Sequence, residues 1–218
     1  RRPSGLRKTT LSYNSLAHIE AGAETQLRLM YTRHMKELKL TGNYLKNKKK
    51  KSEFEQLAYK NIGSFFSEAE KAVQLLAESQ FQERLSYAKK TGELCHGSYN
   101  YHNIIFSNGN TAVTNFDKYK NECQISDLYQ FMRKILEKYD WDIQTAYKMM
   151  EEYDKIKPVS DTERALLAAL FAFPEKFWKV MNYYFNSNKA WIPPKTKEKL
   201  EKVVQQNEKR QKFLETLL

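Results

Sequence analysis

The sequence predicts a mainly helical domain that carries one β-hairpin. Two observations predict this fold class. Apolar residues recur at steps of three and four through most of the chain, and one Asn-Gly pair lies between two short runs of β-branched and aromatic residues. No run of eighteen apolar residues occurs, so we expect no membrane-spanning helix. Neither an internal repeat nor a Gly/Ser-rich linker divides the chain, and we interpret residues 1–218 as one domain.

Helical periodicity extends over the first part of the chain, from Leu11 to Leu94. Gly42-Asn43 and the lysine run that follows predict the end of the first helical segment. The period resumes over residues 54–66, and we predict a further helix over residues 67–77 and another over residues 78–90. The apolar positions of the first segment are Leu16, Ile19, Ala23, Leu27, Met30 and Tyr31.

The hairpin prediction depends on Asn108-Gly109, because both central residues of a tight two-residue turn must tolerate positive φ. With this pair at the tip, counting back along both strands places Asn103 opposite Thr114. The register therefore brings Asn103 and Asn115 close together at the open end of the hairpin. A slip of one residue would separate them.

The chain after the hairpin returns to a helical pattern. One face of residues 125–139 is apolar, and residues 143–156 follow with the same period. Ser160-Asp-Thr-Glu163 is a capping box and predicts the start of a helix over residues 164–173. A further helix is expected around residues 177–185, and Pro193-Pro194 predicts the start of a last, charged helix.

The net charge of +11 is unevenly distributed along the sequence. Residues 1–94 carry a net charge of +8, residues 95–157 carry −1, and residues 158–218 carry +4. The densest basic segment ends in four consecutive lysines, Lys48, Lys49, Lys50 and Lys51. This run is typical of a solvated loop or helix end, and the alternative is a patch that binds an anion or an acidic surface. We do not expect nucleic-acid binding, because no arginine-aromatic interleaving surrounds the run.

The most specific pattern begins at His96-Gly97-Ser98 and continues through Asn103, the hairpin, Asn115-Phe116-Asp117 and Asp127. It resembles the kinase-like fold of aminoglycoside phosphotransferases and choline kinases. There His-Gly-Asp is followed by four residues, an Asn, a hairpin, and Asp-x-Asp or Asp-x-Glu. The Tyr- and Lys-rich helices and the stretch at 127–134 are most similar to the CotS-type spore coat branch. The signature covers residues 95–134.

The resemblance implies that this chain is a kinase-like C-terminal lobe. The small N-terminal lobe, with its β-sheet and phosphate-binding lysine, is not evident. Residue 1 is Arg, and we interpret the chain as a fragment of a longer protein. The family's catalytic Asp falls on Ser98, and its metal-binding Asp falls on Asn115. Asn103 and Asp117 are retained, so the resemblance implies a vestigial site for magnesium and nucleotide.

Two other residues keep their identity in the resemblance. His96 has an architectural role there, and Asp127 matches an acidic position that braces the catalytic loop from behind. A hydroxyl at Ser98 is too weak a base to accept a proton near neutral pH. An amide at Asn115 offers an oxygen but no negative charge, which weakens magnesium binding.

These substitutions lead to two hypotheses from different functional classes. The first is a non-catalytic pseudokinase, a structural or interaction protein of the spore coat, whose partners are other coat proteins. Its location would be the bacterial mother-cell cytoplasm and then the coat, without secretion, and it would need no cofactor. The alternative is an ATP- and Mg-dependent small-molecule phosphotransferase whose N-terminal lobe is missing from this chain. A basic binder of nucleic acid or an anionic surface through Lys48–Lys51 is the second alternative.

Two cysteines, Cys95 and Cys123, are too few for a disulfide scaffold and indicate a reducing compartment. We expect Cys95 to be a buried thiol rather than a nucleophile, and we expect no metal site built from Cys95, His96 and His102. Tyr99 and Tyr101 are either packing residues or substrate contacts, and the sequence leaves both alternatives open.

Overall fold

The computed structural model describes residues 23–78, 80–187 and 193–218. Within these residues the chain forms eight α-helices and four short strands. The helices are α1 (Ala23–Asn47), α2 (Glu53–Glu78), α3 (Phe81–Thr91), α4 (Ile125–Lys138), α5 (Ile143–Ile156), α6 (Asp161–Ala172), α7 (Glu175–Asn186) and α8 (Lys195–Glu215). The strands are β1 (Leu94–Cys95), β2 (Ile104–Ser107), β3 (Asn110–Val113) and β4 (Lys120–Asn121). Leu16 and Ile19 lie outside the described residues.

The first helical segment ends in the lysine run, as predicted, but the prediction that Gly42-Asn43 interrupts it is wrong, because α1 continues through this pair to Asn47. Gly42 faces α2, and a Cβ placed there would lie 3.7 Å from the Ile62 side chain, an ordinary packing distance. Contact with α2 stabilises this turn of the helix although glycine has a poor intrinsic helix propensity.

The prediction of a separate helix over residues 67–77 is also wrong, because this segment is the second half of α2. Nothing interrupts the buried face of α2, which recurs at steps of three and four from one end to the other. The buried apolar members of this face are Phe54, Ala58, Ile62, Phe65, Ala69, Ala72 and Leu76. One long helix therefore spans both predicted segments.

Helix α6 forms the centre of the core and contacts α2, α3, α4 and α8. Every residue from Leu166 to Ala172 is buried, so this helix has apolar neighbours on all sides. The predicted capping box is confirmed, because the Ser160 hydroxyl accepts from the Glu163 backbone and the Glu163 carboxylate accepts from the Ser160 backbone. The helix ends before Pro174, as the sequence predicts.

The predicted hairpin is formed by β2 and β3, and its register is confirmed. Phe106 pairs with Thr111, and Ser107 pairs with Asn110 across the turn. Asn108 and Gly109 both have positive φ at the tip. The Thr114 backbone N–H donates to the Asn103 carbonyl oxygen at 2.9 Å, which closes the open end.

A second strand pair was not predicted. The two-residue strand β1 pairs antiparallel with β4, so that Leu94 lies opposite Asn121 and Cys95 opposite Lys120. This pair closes the segment that contains the hairpin into a loop anchored on the helical core. No helix among the described residues is both long and apolar enough to cross a membrane.

Candidate functional site

The site loop, residues 96–103, begins directly after β1 and ends where β2 begins. Its first residue, His96, is buried. The His96 Nε2 atom lies 2.9 Å from the Thr114 carbonyl oxygen, and Nδ1 lies 3.1 Å from the Ser98 backbone nitrogen. Because the Ser98 N–H can only donate, Nδ1 is the acceptor and Nε2 carries the proton. The His96 ring is therefore a neutral link between the site loop and the hairpin.

Asp127, in the first turn of α4, holds the start of the site loop from behind. Its Oδ2 atom accepts from the His96 backbone N–H at 2.6 Å, and its Oδ1 atom accepts from the Gly97 N–H at 3.0 Å. Gly97 has a φ of 74°, and a Cβ at this position would lie 2.0 Å from the Lys118 carbonyl oxygen. Both the backbone conformation and the close approach of the residue 118 carbonyl therefore require glycine here.

Ser98 occupies the centre of the site loop, and its backbone is firmly held. Its carbonyl oxygen accepts from Nδ2 of Asn100 and from Nδ2 of Asn103, both at 2.8 Å. Over the described ranges, the Ser98 hydroxyl forms no hydrogen bond to another residue. A free hydroxyl with no neighbouring base has too little basicity to take a proton from an attacking alcohol or amine. The fold positions this residue, but its side chain cannot act as a general base.

Asn103 and Asn115, which we call the amide pair, lie together at the open end of the hairpin. The Nδ2 atom of Asn115 donates to Oδ1 of Asn103 at 3.5 Å. This contact confirms the proximity that the hairpin register predicts. Asn115 has a φ of 70°, a conformation that asparagine tolerates better than most residues.

The donor set at the amide pair does not fit magnesium. Mg²⁺ prefers oxygen ligands that include carboxylates. Here Asn103 supplies one amide oxygen, which already accepts from Asn115. The carboxylate that follows, Asp117, is exposed, and no bond joins it to the amide pair. Nowhere in the described part of the chain do three or more His, Cys, Asp or Glu residues form a group that could hold a metal ion.

Behind the site loop lies a group of partly or fully buried ionic residues that the sequence did not reveal. Arg84 of α3, Glu93 before β1, Lys157 after α5 and Glu163 of α6 form what we call the rear ion cluster. The Arg84 Nη2 atom lies 2.7 Å from Oε2 of Glu93, and Arg84 Nε lies 3.0 Å from Oε1 of Glu163. Lys157 Nζ lies 2.5 Å from Oε1 of Glu93. Four separate segments of the chain therefore meet through paired charges.

Glu93 also reaches the start of α4, where its Oε1 atom accepts from the Gln124 backbone N–H at 2.8 Å. Glu93, which lies before β1, thus holds the backbone at the start of α4. Asp127, which lies in α4, holds in turn the backbone of His96 and Gly97 after β1. Burial of Glu93 opposes ionisation. The hydrogen bonds from Gln124, Lys157 and Arg84 outweigh that effect and lower the pKa of Glu93 below its ordinary value.

The lysine run forms the connection between α1 and α2. Lys48 Nζ lies 2.5 Å from Oε1 of the buried Glu55, and Lys51 Nζ donates to the Lys48 carbonyl oxygen at 2.7 Å. Lys49 and Lys50 are exposed. Two of the four lysines therefore hold the α1–α2 connection, and two are directed to solvent.

Both cysteines are buried free thiols, as expected for Cys95. The Cys95 thiol donates to the Glu122 carbonyl oxygen at 3.0 Å, and burial raises the pKa of Cys123 to about 11. These environments favour the neutral thiol over the nucleophilic thiolate. The ring of Tyr99 lies 5.5 Å from that of Phe131, which is a packing contact.

Tyr101 is half-buried at the edge of the site loop. The Lys138 Nζ atom lies 5.0 Å from the centre of its ring, within the range of a cation–π interaction. The adjacent His102 ring lies 4.1 Å from the Tyr101 ring, and His102 itself is exposed. In the part of the chain that the structure describes, the Tyr101 ring thus contacts two other side chains of the same chain.

The fold and the sequence both have known relatives. A family model described as "Spore coat putative kinase YutH" matches residues 23–217. "Spore coat protein S" of Bacillus subtilis (strain 168) is 20% identical over 166 residues, which are 75% of this chain and 47% of that protein. The crystal structure of an aminoglycoside phosphotransferase from Alicyclobacillus acidocaldarius superposes with a TM-score of 0.81 at 20% identity, over 88% of this chain and 57% of that chain. The chain therefore spans about half the length of the relatives it matches.

Proposed function

The chain belongs to the family described as spore coat putative kinase YutH, and from this premise we propose that it is a non-catalytic, kinase-like structural and interaction protein of the bacterial spore coat. One observation carries the proposal. The site loop is fully positioned by hydrogen bonds, yet it presents the neutral side chains of Ser98 and Asn115 where the resemblance calls for two carboxylates. A positioned but uncharged site supports a role in folding and binding rather than in phosphate transfer.

The chemistry of phosphate transfer shows why the two changes matter together. Transfer needs a group that orients and deprotonates the attacking atom, and it needs positive charge that neutralises the phosphates. The Ser98 hydroxyl cannot do the first, and the amide pair does not attract the cation that does the second. The change at one position could be compensated by a neighbouring side chain. Changes at both positions remove two different parts of the reaction.

Coat location is tested by imaging a fluorescent fusion of the full-length protein during sporulation of its native host. We expect the fusion to accumulate first in the mother-cell cytoplasm and then around the forming spore, with other coat proteins as its partners. The Ser98→Ala variant should assemble as the wild type does, because the hydroxyl is not used. Diffuse fluorescence of the wild-type fusion through spore maturation would overturn the coat assignment.

The alternative function is ATP- and Mg-dependent transfer of phosphate to a small molecule. The observation in its favour is that His96, Asp127 and Asn103 keep a well-ordered arrangement around the site loop. Thermal unfolding of the full-length protein with millimolar ATP, with and without Mg²⁺, distinguishes the two functions. Our proposal predicts no stabilisation that depends on Mg²⁺, whereas saturable Mg-dependent stabilisation supports the enzyme.

The lysine run gives little support to binding of nucleic acid or an anionic surface. Lys48 is already paired with Glu55, and Lys51 donates to the backbone of its own loop. Only Lys49 and Lys50 of the run extend outward, and two flexible charges make few phosphate contacts.

A further inference from the structure

The amide pair and Ser98 form one continuous chain of hydrogen bonds. Asn115 Nδ2 donates to Asn103 Oδ1 at 3.5 Å, and Asn103 Nδ2 donates to the Ser98 carbonyl oxygen at 2.8 Å. The open end of the hairpin is thereby tied through Asn103 to the middle of the site loop. In the family that the signature resembles, a cation held by the residues at 103 and 115 would make this connection.

The orientation of the Asn103 amide is fixed by its own bonds. Turning the amide over would place its oxygen against the Ser98 carbonyl oxygen and lose the 2.8 Å bond. The Asn103 oxygen must therefore face Asn115, which presents N–H hydrogens to it. These hydrogens carry partial positive charge, so they complement the oxygen and repel a cation at the same position.

We infer that the Asn115 amide replaces the divalent cation at this position. Its N–H donor joins the hairpin to the site loop, so the chain needs no cation there, and the single change Asn115→Asp would convert the amide pair into a divalent-cation site. This inference rests on the proposed function, because a protein that transfers no phosphate loses nothing when an amide takes the place of the cation. It also makes the proposed function more specific, because any ligand of this site would bind without a divalent metal.

The conversion follows from charge and hydrogen bonding. A carboxylate at 115 has no hydrogen to donate, so it would leave the Asn103 oxygen without a donor and add a negative charge beside it. The two oxygens would then repel each other in the absence of a cation. A hard divalent cation between them would remove the repulsion, because it prefers carboxylate and carbonyl oxygens.

Thermal unfolding of the 218-residue chain in EDTA and in millimolar Mn²⁺ tests the inference. We expect the same Tm in both conditions for the wild type. For Asn115→Asp we expect a lower Tm in EDTA and a rise on the order of 2–4 °C when Mn²⁺ is added. The matched control is Asn110→Asp, which makes the same change on an exposed residue at the other end of the hairpin and should show no rise.

A Tm of Asn115→Asp that does not respond to Mn²⁺ while the variant is folded would overturn the inference. Electron paramagnetic resonance of free Mn²⁺ provides a second measurement, which is made first on the wild-type chain. The wild-type chain should leave the free-ion signal unchanged at stoichiometric concentrations, and a saturable loss of that signal that Asn115→Ala abolishes would contradict us. Cation binding by the wild type without phosphate transfer overturns this inference alone, whereas phosphate transfer by the full-length protein overturns the proposed function.

Discussion

The two sides of the site loop differ in how they use charge. On the rear side, Glu93 and Asp127 are ionisable groups with at least two hydrogen bonds each, and both hold backbone N–H groups of another segment. On the front side, Ser98 and Asn115 are neutral. This chain therefore keeps carboxylates at the positions that hold the site loop in place, and it lacks them at the two positions, 98 and 115, where a transferase would use them in chemistry.

The largest effect is expected from the rear ion cluster. Arg84→Met leaves Glu93 and Glu163 without their shared partner, although both side chains are largely buried. Removal of one partner from an ion network that is largely shielded from solvent should lower the free energy of unfolding by about 3 kcal/mol. Chemical denaturation measures this loss. The matched control is Arg33→Met, which removes an exposed pair with Glu37 and should cost less than about 0.5 kcal/mol. If Arg84→Met and Arg33→Met lost the same free energy of unfolding, the rear ion cluster would stabilise the fold no more than an exposed ion pair does, and the difference between the two sides of the site loop would lose its basis.

Asp127→Asn should have the next largest effect. The variant keeps the shape of the side chain but loses the charge, and one of its two acceptors becomes a donor that faces a backbone N–H. We expect a loss of about 2 kcal/mol in the free energy of unfolding, since hydrogen bonds to a charged group are among the stronger ones. Asp117→Asn makes the same change at an exposed position on the front side, and a comparable loss there would contradict the account.

Glu93 gives the rear side of the site loop a pH dependence. Its pKa is lower in the folded protein than in the unfolded chain, so its contribution to stability is complete above pH 4.5 and is lost as the pH falls through the lower folded value. Glu93→Gln should therefore be less stable than the wild type at pH 6, and the gap should narrow below pH 4.5. A gap in the free energy of unfolding that stays constant from pH 6 to pH 3 would show that the charge of Glu93 does not stabilise the fold.

The smallest effect is expected at Ser98. The Ser98 hydroxyl has no partner in the structure as described, and the bonds that position this residue use its backbone carbonyl. Ser98→Ala should therefore change the free energy of unfolding by less than about 0.5 kcal/mol. Differential scanning calorimetry of Ser98→Ala beside Asp127→Asn would show the contrast between the two sides of the site loop. A loss of stability in Ser98→Ala as large as that in Asp127→Asn would contradict this contrast.

The sequence predicted the local features of the fold and of the site. The hairpin register, the capping box at Ser160 and the proximity of Asn103 to Asn115 all depend on residues close together along the chain. Each has a local chemical cause, such as an Asn-Gly turn or a hydroxyl beside a free N–H, that can be recognised without knowing the rest of the structure.

The features that were missed depend on distant partners. Arg84 meets Glu163 at a separation of 79 residues, and no local pattern distinguishes this arginine from an exposed one. The strands β1 and β4 have two residues each, too short for a periodic signal. Gly42 lies inside α1 because α2 packs against it, which the glycine alone does not indicate.

The central claim is that the site loop is held in place for a purpose other than phosphate transfer. The most direct test measures Mg-dependent ATP turnover by the full-length protein in the presence of a broad panel of amines and alcohols, with an active aminoglycoside phosphotransferase as the positive control. We expect turnover at the background level for the wild type and no change for Ser98→Ala. Wild-type turnover well above background that Ser98→Ala abolishes would contradict the central claim.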